Sequence, residues 1–187
     1  QFEAQERASR LVMLLSVVSL IMMFVVLHAR YQSWRLSALI MANIPLALVG
    51  SVIGLALSGQ PLSIAALIGF VTLAGISVRN GILKVSHYLN LMQQEGEQFD
   101  QKMIIRGSLE RLAPVLMTAL VTALALAPLL FEAEQPGTEI LHPVAVVIFS
   151  GLLSSTLLDS FLTPVMFWVF GRRDSEKLVR ESEAGEF

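Results

Sequence analysis

SIAALIGFVTLAGISVRNGILKVSHYLNL, residues 63–91, decides how the rest of the chain is read. The stretch is apolar enough and long enough for a helix that crosses a bilayer, which takes about 20 mostly apolar residues. Yet it carries Arg79 and Asn80 near its middle, and Lys84 and His87 nearer its end. A guanidinium at membrane depth costs several kcal/mol, so Arg79 is expected to face protein or internal water and to have a partner. Gly75, Arg79 and Leu83 follow at i, i+4 spacing, and Gly69, Ala74, Ser77 and Gly81 are also small. The charge therefore borders a groove in which another helix could pack closely. Two readings stand for Arg79: a structural cation bonded to backbone carbonyls, or a functional charge.

Composition agrees with a membrane protein. Of 187 residues, 55% are hydrophobic and 15% charged, where a soluble domain carries about a quarter charged residues; the mean hydropathy is +0.68. A net charge of -2 lacks the basic patch of a nucleic-acid binder, so no nucleic-acid partner is expected. With no cysteine, disulfides and thiolate metal sites are excluded within the segment. The opening QFEAQERASR has no signal-peptide pattern and runs straight into a span, as in a chain cut from something longer.

Outward from 63–91, the pattern predicts an all-α polytopic membrane protein with five transmembrane helices, at 11–28, 36–57, 63–91, 113–131 and 143–170. The first is uncharged and lipid-facing. Tyr31 and Trp34 follow it at headgroup level. The second contains Pro45 and the small pair Gly50 and Gly54, a close-packing face at one-turn spacing. Residues 94–110 interleave charges with Phe99, Met103, Ile104 and Leu109, which predicts an amphipathic helix on the cytoplasmic membrane surface. Pro114 suits the first turn of the fourth span. Thr118 and Thr122 share one face of that span with Arg111, although such threonines often only bond the carbonyl one turn back. An acidic loop with Glu132, Glu134 and Glu139 follows. The fifth span holds Gly151, Ser154, Ser155 and a single acid, Asp159. The tail 171–187, charged with both signs, reads as disordered beyond a turn or two.

The loop cations set an orientation. Arg30 and Arg35, then Lys102, Arg106 and Arg111, then Arg172, Arg173, Lys177 and Arg180 all fall on one side of five alternating spans. That side is expected to be cytoplasmic, which puts the N-terminus outside and the C-terminus inside. Arg79 lies 16 residues beyond Ser63 and Asp159 16 beyond Pro143, so both sit about 24 Å down their helices. An Arg79–Asp159 salt bridge is one expectation; Asp159 near the inner interface, bonded to water or to Ser155 and Thr163, is the other. The eight Met residues form no close cluster and read as apolar filler. His28, His87 and His142 are scattered and are not assigned as ligands.

GFVTLAGISVRNGIL, SLERLAPVLMTALVTALALAPL and HPVAVVIFSGLLSSTLLDSFLTPVMF, in this order and spacing, resemble the C-terminal membrane half of resistance–nodulation–division (RND) efflux pumps, nearest the heavy-metal (cobalt–zinc–cadmium-type) and acriflavine-resistance branch. The resemblance implies that the spans are the last five of a twelve-helix membrane domain, with residues 1–10 the stub of a periplasmic domain. It implies a homotrimeric inner-membrane permease working with its own N-terminal half, a periplasmic adaptor and an outer-membrane channel. No enzyme activity and no cofactor are implied. In that family proton entry through a central charged cluster drives export. Two aspartates come from the N-terminal half, a Lys from the helix matching 63–91, and an Arg and a Thr from the next span. Carried over by motif, Arg79 takes the Lys position, followed by Asn80, while Arg111 and Thr118 take the Arg and Thr positions; Asp159 is added as a candidate on charge and depth. Arg does not release its proton, so Arg79 suits a counter-ion better than a proton carrier. Ala113 stands where many relatives have a second Arg. Gly50, Gly54, Gly75, Gly81, Gly151 and Ser155 are the expected helix-packing positions. Two further functions remain open: a structural or assembly segment of the membrane, and a protein-export auxiliary of the same superfamily.

Overall fold

The computed structural model describes residues 2–131 and 140–184, which form helices and short links. In chain order these are α1 (Phe2–Tyr31), α2 (Trp34–Met41), α3 (Asn43–Leu57), α4 (Ile64–Gln94), α5 (Gln101–Phe131), α6 (Leu141–Phe170) and α7 (Arg172–Ala184). Among the described residues, five stretches are long and apolar enough to cross a membrane: Glu6–Tyr31, Trp34–Leu57, Ile64–Gln94, Gln101–Phe131 and Leu141–Phe170. The acidic loop residues Glu132, Glu134 and Glu139 lie outside the described residues.

The second span is split between α2 and α3 by its own sequence. Pro45 has no N–H to give the Met41 carbonyl, so the ladder is interrupted one turn earlier and α2 closes at Ala42, whose N–H bonds Ala38 O at 2.9 Å. Gln32 takes a left-handed φ of 48° to end α1. Ser33 then N-caps α2 by accepting from Leu36 N at 3.2 Å.

α6 is the central element, packed against α3, α4 and α5. The α3–α6 contact is close because of small residues. At Gly50 and Gly54 a Cβ would fall within 3.0 Å of Ser154 and Ser150, and the room left at Gly50 lets Ser154 Oγ donate to Leu46 O at 3.1 Å. Gly151 likewise admits Leu73 of α4. α1 is peripheral. Leu14, Ile21, Met22 and Val26 are exposed, as suits a lipid-facing helix.

Three expectations need correction. No separate amphipathic helix spans 94–110: α4 runs on to Gln94, a link occupies 95–100, and Gln101–Glu110 is the start of α5. Part of the apolar face read as membrane-facing packs inward instead, on α4 through Met103 and Ile104 and on α6 through Phe99, while Leu109 is exposed. Met103 and Ile104 are buried, Gly107 lies against the Tyr88 ring, and Tyr88 and Ser108 share a 2.7 Å hydroxyl hydrogen bond. Pro114 consequently lies well inside a helix, not in its first turn. The tail is also helical as far as Ala184. Ser33 Oγ donates to Asp174 Oδ2 at 2.7 Å, Ser175 is buried, and Leu178 and Val179 pack on the core around Tyr31 and Tyr88.

Candidate functional site

Two antiparallel faces, one from α4 and one from α5, define a cleft. On α4 the face is Ile76, Arg79, Asn80, Leu83 and Lys84; on α5 it is Arg111, Pro114, Val115, Thr118 and Thr122. These positions recur every three or four residues, so each set occupies one side of its helix. Leu152 of α6 joins them, and the enclosed space is about 300 Å³.

The side chains at the cleft are polar and incompletely partnered. Arg79 and Thr118 are exposed, and Asn80 and Arg111 are half-buried. The Arg111 Nε is itself buried and has no hydrogen-bond partner. Among the described residues, neither Arg79 nor Arg111 has a carboxylate within 4.0 Å. Thr118 Oγ1 donates to Val115 O at 2.9 Å and Thr122 Oγ1 to Thr118 O at 2.8 Å. Their protons are engaged by the backbone, while their oxygens remain able to accept. Such a cleft suits carboxylates, which match a guanidinium in charge and geometry.

Asp159 is not part of this cleft, and it does not pair with Arg79. It is buried against Lys84, whose Nζ lies 2.5 Å from Asp159 Oδ2 and 2.7 Å from Asp159 O. Thr163 Oγ1 donates to Asp159 Oδ1, and Asn43 Oδ1 lies 3.1 Å from the same hydroxyl. Equal depth from Ser63 and Pro143 suggested Arg79 as the partner; the helices start elsewhere and face differently. Asp159 lies 18 residues beyond Leu141 (159 − 141), Lys84 lies 20 beyond Ile64 (84 − 64) and Arg79 only 15 (79 − 64). Arg79 also faces α5, whereas Lys84 reaches α6. Lys84 was visible as a cation inside an apolar stretch, and Thr163 as the hydroxyl one turn from Asp159; Asn43 carried no such signal.

The packing positions divide. A Cβ at Gly81 would come within 3.0 Å of the Asn43 amide, and Ser155 is buried with its hydroxyl bonded to Leu152 O at 3.1 Å. At Gly75 no described residue lies within 4 Å of the place a Cβ would take, so within this segment it faces outward on α4.

Where the end of α4 meets the start of α5, beyond the roughly 20-residue apolar run of each that a bilayer takes, His87 Nε2 lies 2.7 Å from Glu110 Oε2, and Arg106 engages Glu110, Glu97 and Glu95. The His87 hydrogen bond, and next the Arg106 guanidinium, hold the Glu110 carboxyl below the usual carboxylate range. This group ties the end of α4 to the start of α5.

Residues 1–171 match the family model described as the AcrB/AcrD/AcrF family. The chain is 35% identical over 175 residues, 94% of its length, to the cobalt-zinc-cadmium resistance protein CzcA of Cupriavidus metallidurans. It is 33% identical over 173 residues, 92% of its length, to the nickel and cobalt resistance protein CnrA of the same organism. It is also 33% identical over 162 residues, 87% of its length, to the multidrug resistance protein MdtC of Proteus mirabilis. The chain spans 15% to 16% of the length of these curated relatives. A crystal structure of a heavy metal efflux pump superposes with a TM-score of 0.80 at 34% identity, over 91% of this chain and 17% of that one.

Proposed function

The chain belongs to the AcrB/AcrD/AcrF family of RND permeases, and on that premise we propose that it is the C-terminal membrane segment of a proton-driven efflux permease. It supplies the last five of twelve membrane helices and the cationic part of the proton relay. The exported substrates are divalent metal cations or small toxic organics. The permease is a homotrimer in the bacterial inner membrane, with the N-terminus of this segment periplasmic and its C-terminus cytoplasmic. It works with a periplasmic adaptor and an outer-membrane channel.

One observation carries this reading. Arg79, Asn80, Arg111 and Thr118 line a single cleft, and neither guanidinium has a carboxylate partner among the described residues. A pair of carboxylates from the N-terminal half fits there. Two such groups close together cannot both stay ionised cheaply, so one takes up a proton. Arg79 and Arg111, which keep their charge, bind the pair tightly when both are ionised and less tightly once one is protonated. That difference favours one helix arrangement over another and can drive the export cycle.

The test is Arg79→Ala in the full-length permease, assayed by zinc, cobalt and ethidium resistance with the membrane amount followed by immunoblot. The expected result is lost resistance at normal protein amount. Unchanged resistance would leave the chain a structural or assembly segment.

A further inference from the structure

We propose that Lys84 and Asp159 are a positioning pair: their buried ion pair fixes the rotation of α4 on α6, which holds Arg79 and Asn80 at the cleft, and transport depends on it. The proposal rests on the reading of the cleft as the coupling site. Asp159 then acts through Lys84 and is not itself a carboxylate of the cleft.

Both side chains are almost wholly buried, 3% and 5% exposed, within spans where lipid cannot solvate an ion. Such charges are retained at a cost unless each is met by fixed partners. Here they are met unusually fully. The ammonium holds both the Asp159 carboxylate and the Asp159 backbone carbonyl, so it grips the α6 main chain as well as a side chain. The second carboxylate oxygen takes the Thr163 hydroxyl proton.

That hydroxyl has one proton, and it goes to Asp159, so it can only accept from Asn43. With the Asn43 amide oriented so that Nδ2 faces Thr163 Oγ1, this buried and otherwise unpartnered donor is satisfied there. The chain then runs from the Asn43 amide to Thr163, to Asp159, to Lys84, joining α3, α4 and α6. Asn43 is the first residue of α3, beside the break at Ala42, and Gly81 leaves the space its amide occupies.

Geometry gives the pair its reach. Asn80 precedes Lys84 by four residues and Arg79 by five, so they occupy the adjoining turn of one rigid helix. Lys84 also lines the cleft. A rotation of α4 by one residue step, about 100°, would carry Arg79 away from Arg111 and Thr118. A neutral apolar contact could keep α4 near α6 but would not select that rotation; a double hydrogen bond to one residue does.

The experiment uses the full-length permease in everted membrane vesicles with a proton gradient, and zinc ion and ethidium as probes. Lys84→Met with Asp159→Leu replaces both charges by apolar groups, so the double variant should accumulate normally. Its maximal transport rate should fall at least about tenfold with KM little changed. A double variant transporting at the wild-type rate overturns the proposal. If the double variant does not accumulate, Thr163→Val decides: a rate loss of about threefold or more at normal amount supports the pair, and an unchanged rate overturns it. Arg79→Ala, run alongside, separates the two readings. If it is inactive while the double variant is fully active, only the positioning role fails. If it is active, the cleft reading fails.

Discussion

Lys84 Nζ sits 2.5 Å from Asp159 Oδ2, while Arg79, five residues earlier on the same helix, has no carboxylate within 4.0 Å among the described residues. One helix thus carries two cations of different standing. The first is neutralised within the segment; the second faces a cleft lined by another arginine and two threonines. Their chemistry matches that division. A lysine ammonium is a compact charge that can hold a carboxylate and a carbonyl at once, whereas an exposed guanidinium offers a planar fork to an incoming carboxylate.

The first prediction concerns the neutralised cation. Lys84→Met alone leaves Asp159 buried without its counter-ion, and Asp159→Leu alone strands the ammonium. Each should cost about 3–5 kcal/mol, whereas the double change should be near neutral. Thermal unfolding of the purified permease, followed by loss of the gel-filtration peak, should show both single variants well below wild type and the double variant close to it. Additive losses would mean that the two charges are not coupled.

The second concerns the free one. Arg79 occupies the position that the family resemblance gives to Lys. Arg79→Lys keeps the charge, so it should retain transport within about threefold, whereas Arg79→Ala should lose at least about tenfold. Neither should lower the membrane amount, because Arg79 is exposed in this segment and bridges no carboxylate among the described residues. Proton-driven uptake of zinc ion into everted vesicles measures both.

Much of this was readable from residue type and period. Long apolar runs gave helices, and residue spacing put Arg111, Thr118 and Thr122 on one face of the fourth span; that Arg79 and Asn80 belong with Arg111 and Thr118 came from the family resemblance, not from spacing. What the sequence hid was azimuth and offset. Depth counted from Ser63 and Pro143 pointed Asp159 at Arg79, but depth carries no information on which way a side chain turns. The stretch 94–110 was misread for a related reason: its apolar stripe was real, but a stripe does not say whether lipid or α4 covers it, and here Tyr88 does. The tail looked too charged to order. Its helix is held by few contacts, among them Asp174 on Ser33 and the i, i+4 pairs Arg172–Glu176 and Lys177–Glu181.

The third prediction separates two glycines that look alike in sequence. Gly54 faces Ser150 with no room for a methyl group, whereas Gly75 has open space. Gly54→Ala should push α3 off α6 and lower stability by about 1–3 kcal/mol, as overpacking does. Gly75→Ala adds helix propensity without a clash inside this segment and should raise stability by up to about 1 kcal/mol. Denaturation of the two purified variants by heat, compared with wild type, checks the pair; equal destabilisation would contradict the α3–α6 packing described here.

The fourth concerns acid. Glu110 is drawn below the usual carboxylate range first by His87 and then by Arg106, and together they fasten the end of α4 to the start of α5. Because the carboxyl's folded value is depressed, its contribution is fully present above the unfolded Glu value, about 4.3, and is lost as pH falls through the lower folded value. The fastening therefore holds across neutral pH and weakens only below about pH 4. The group is exposed, so salt should screen it as well. Hydrogen exchange over residues 101–110, corrected for the intrinsic rate, should be slow at about pH 6.5 and faster at about pH 3.5. Glu110→Gln should exchange quickly at both and lose most of the acid-dependent step, leaving only what Glu95 and Glu97 contribute through Arg106. Wild-type protein with the same protection at the two pH values would mean that packing of Met103, Ile104 and Gly107 against Tyr88 and its neighbours holds the hairpin without help from the charges.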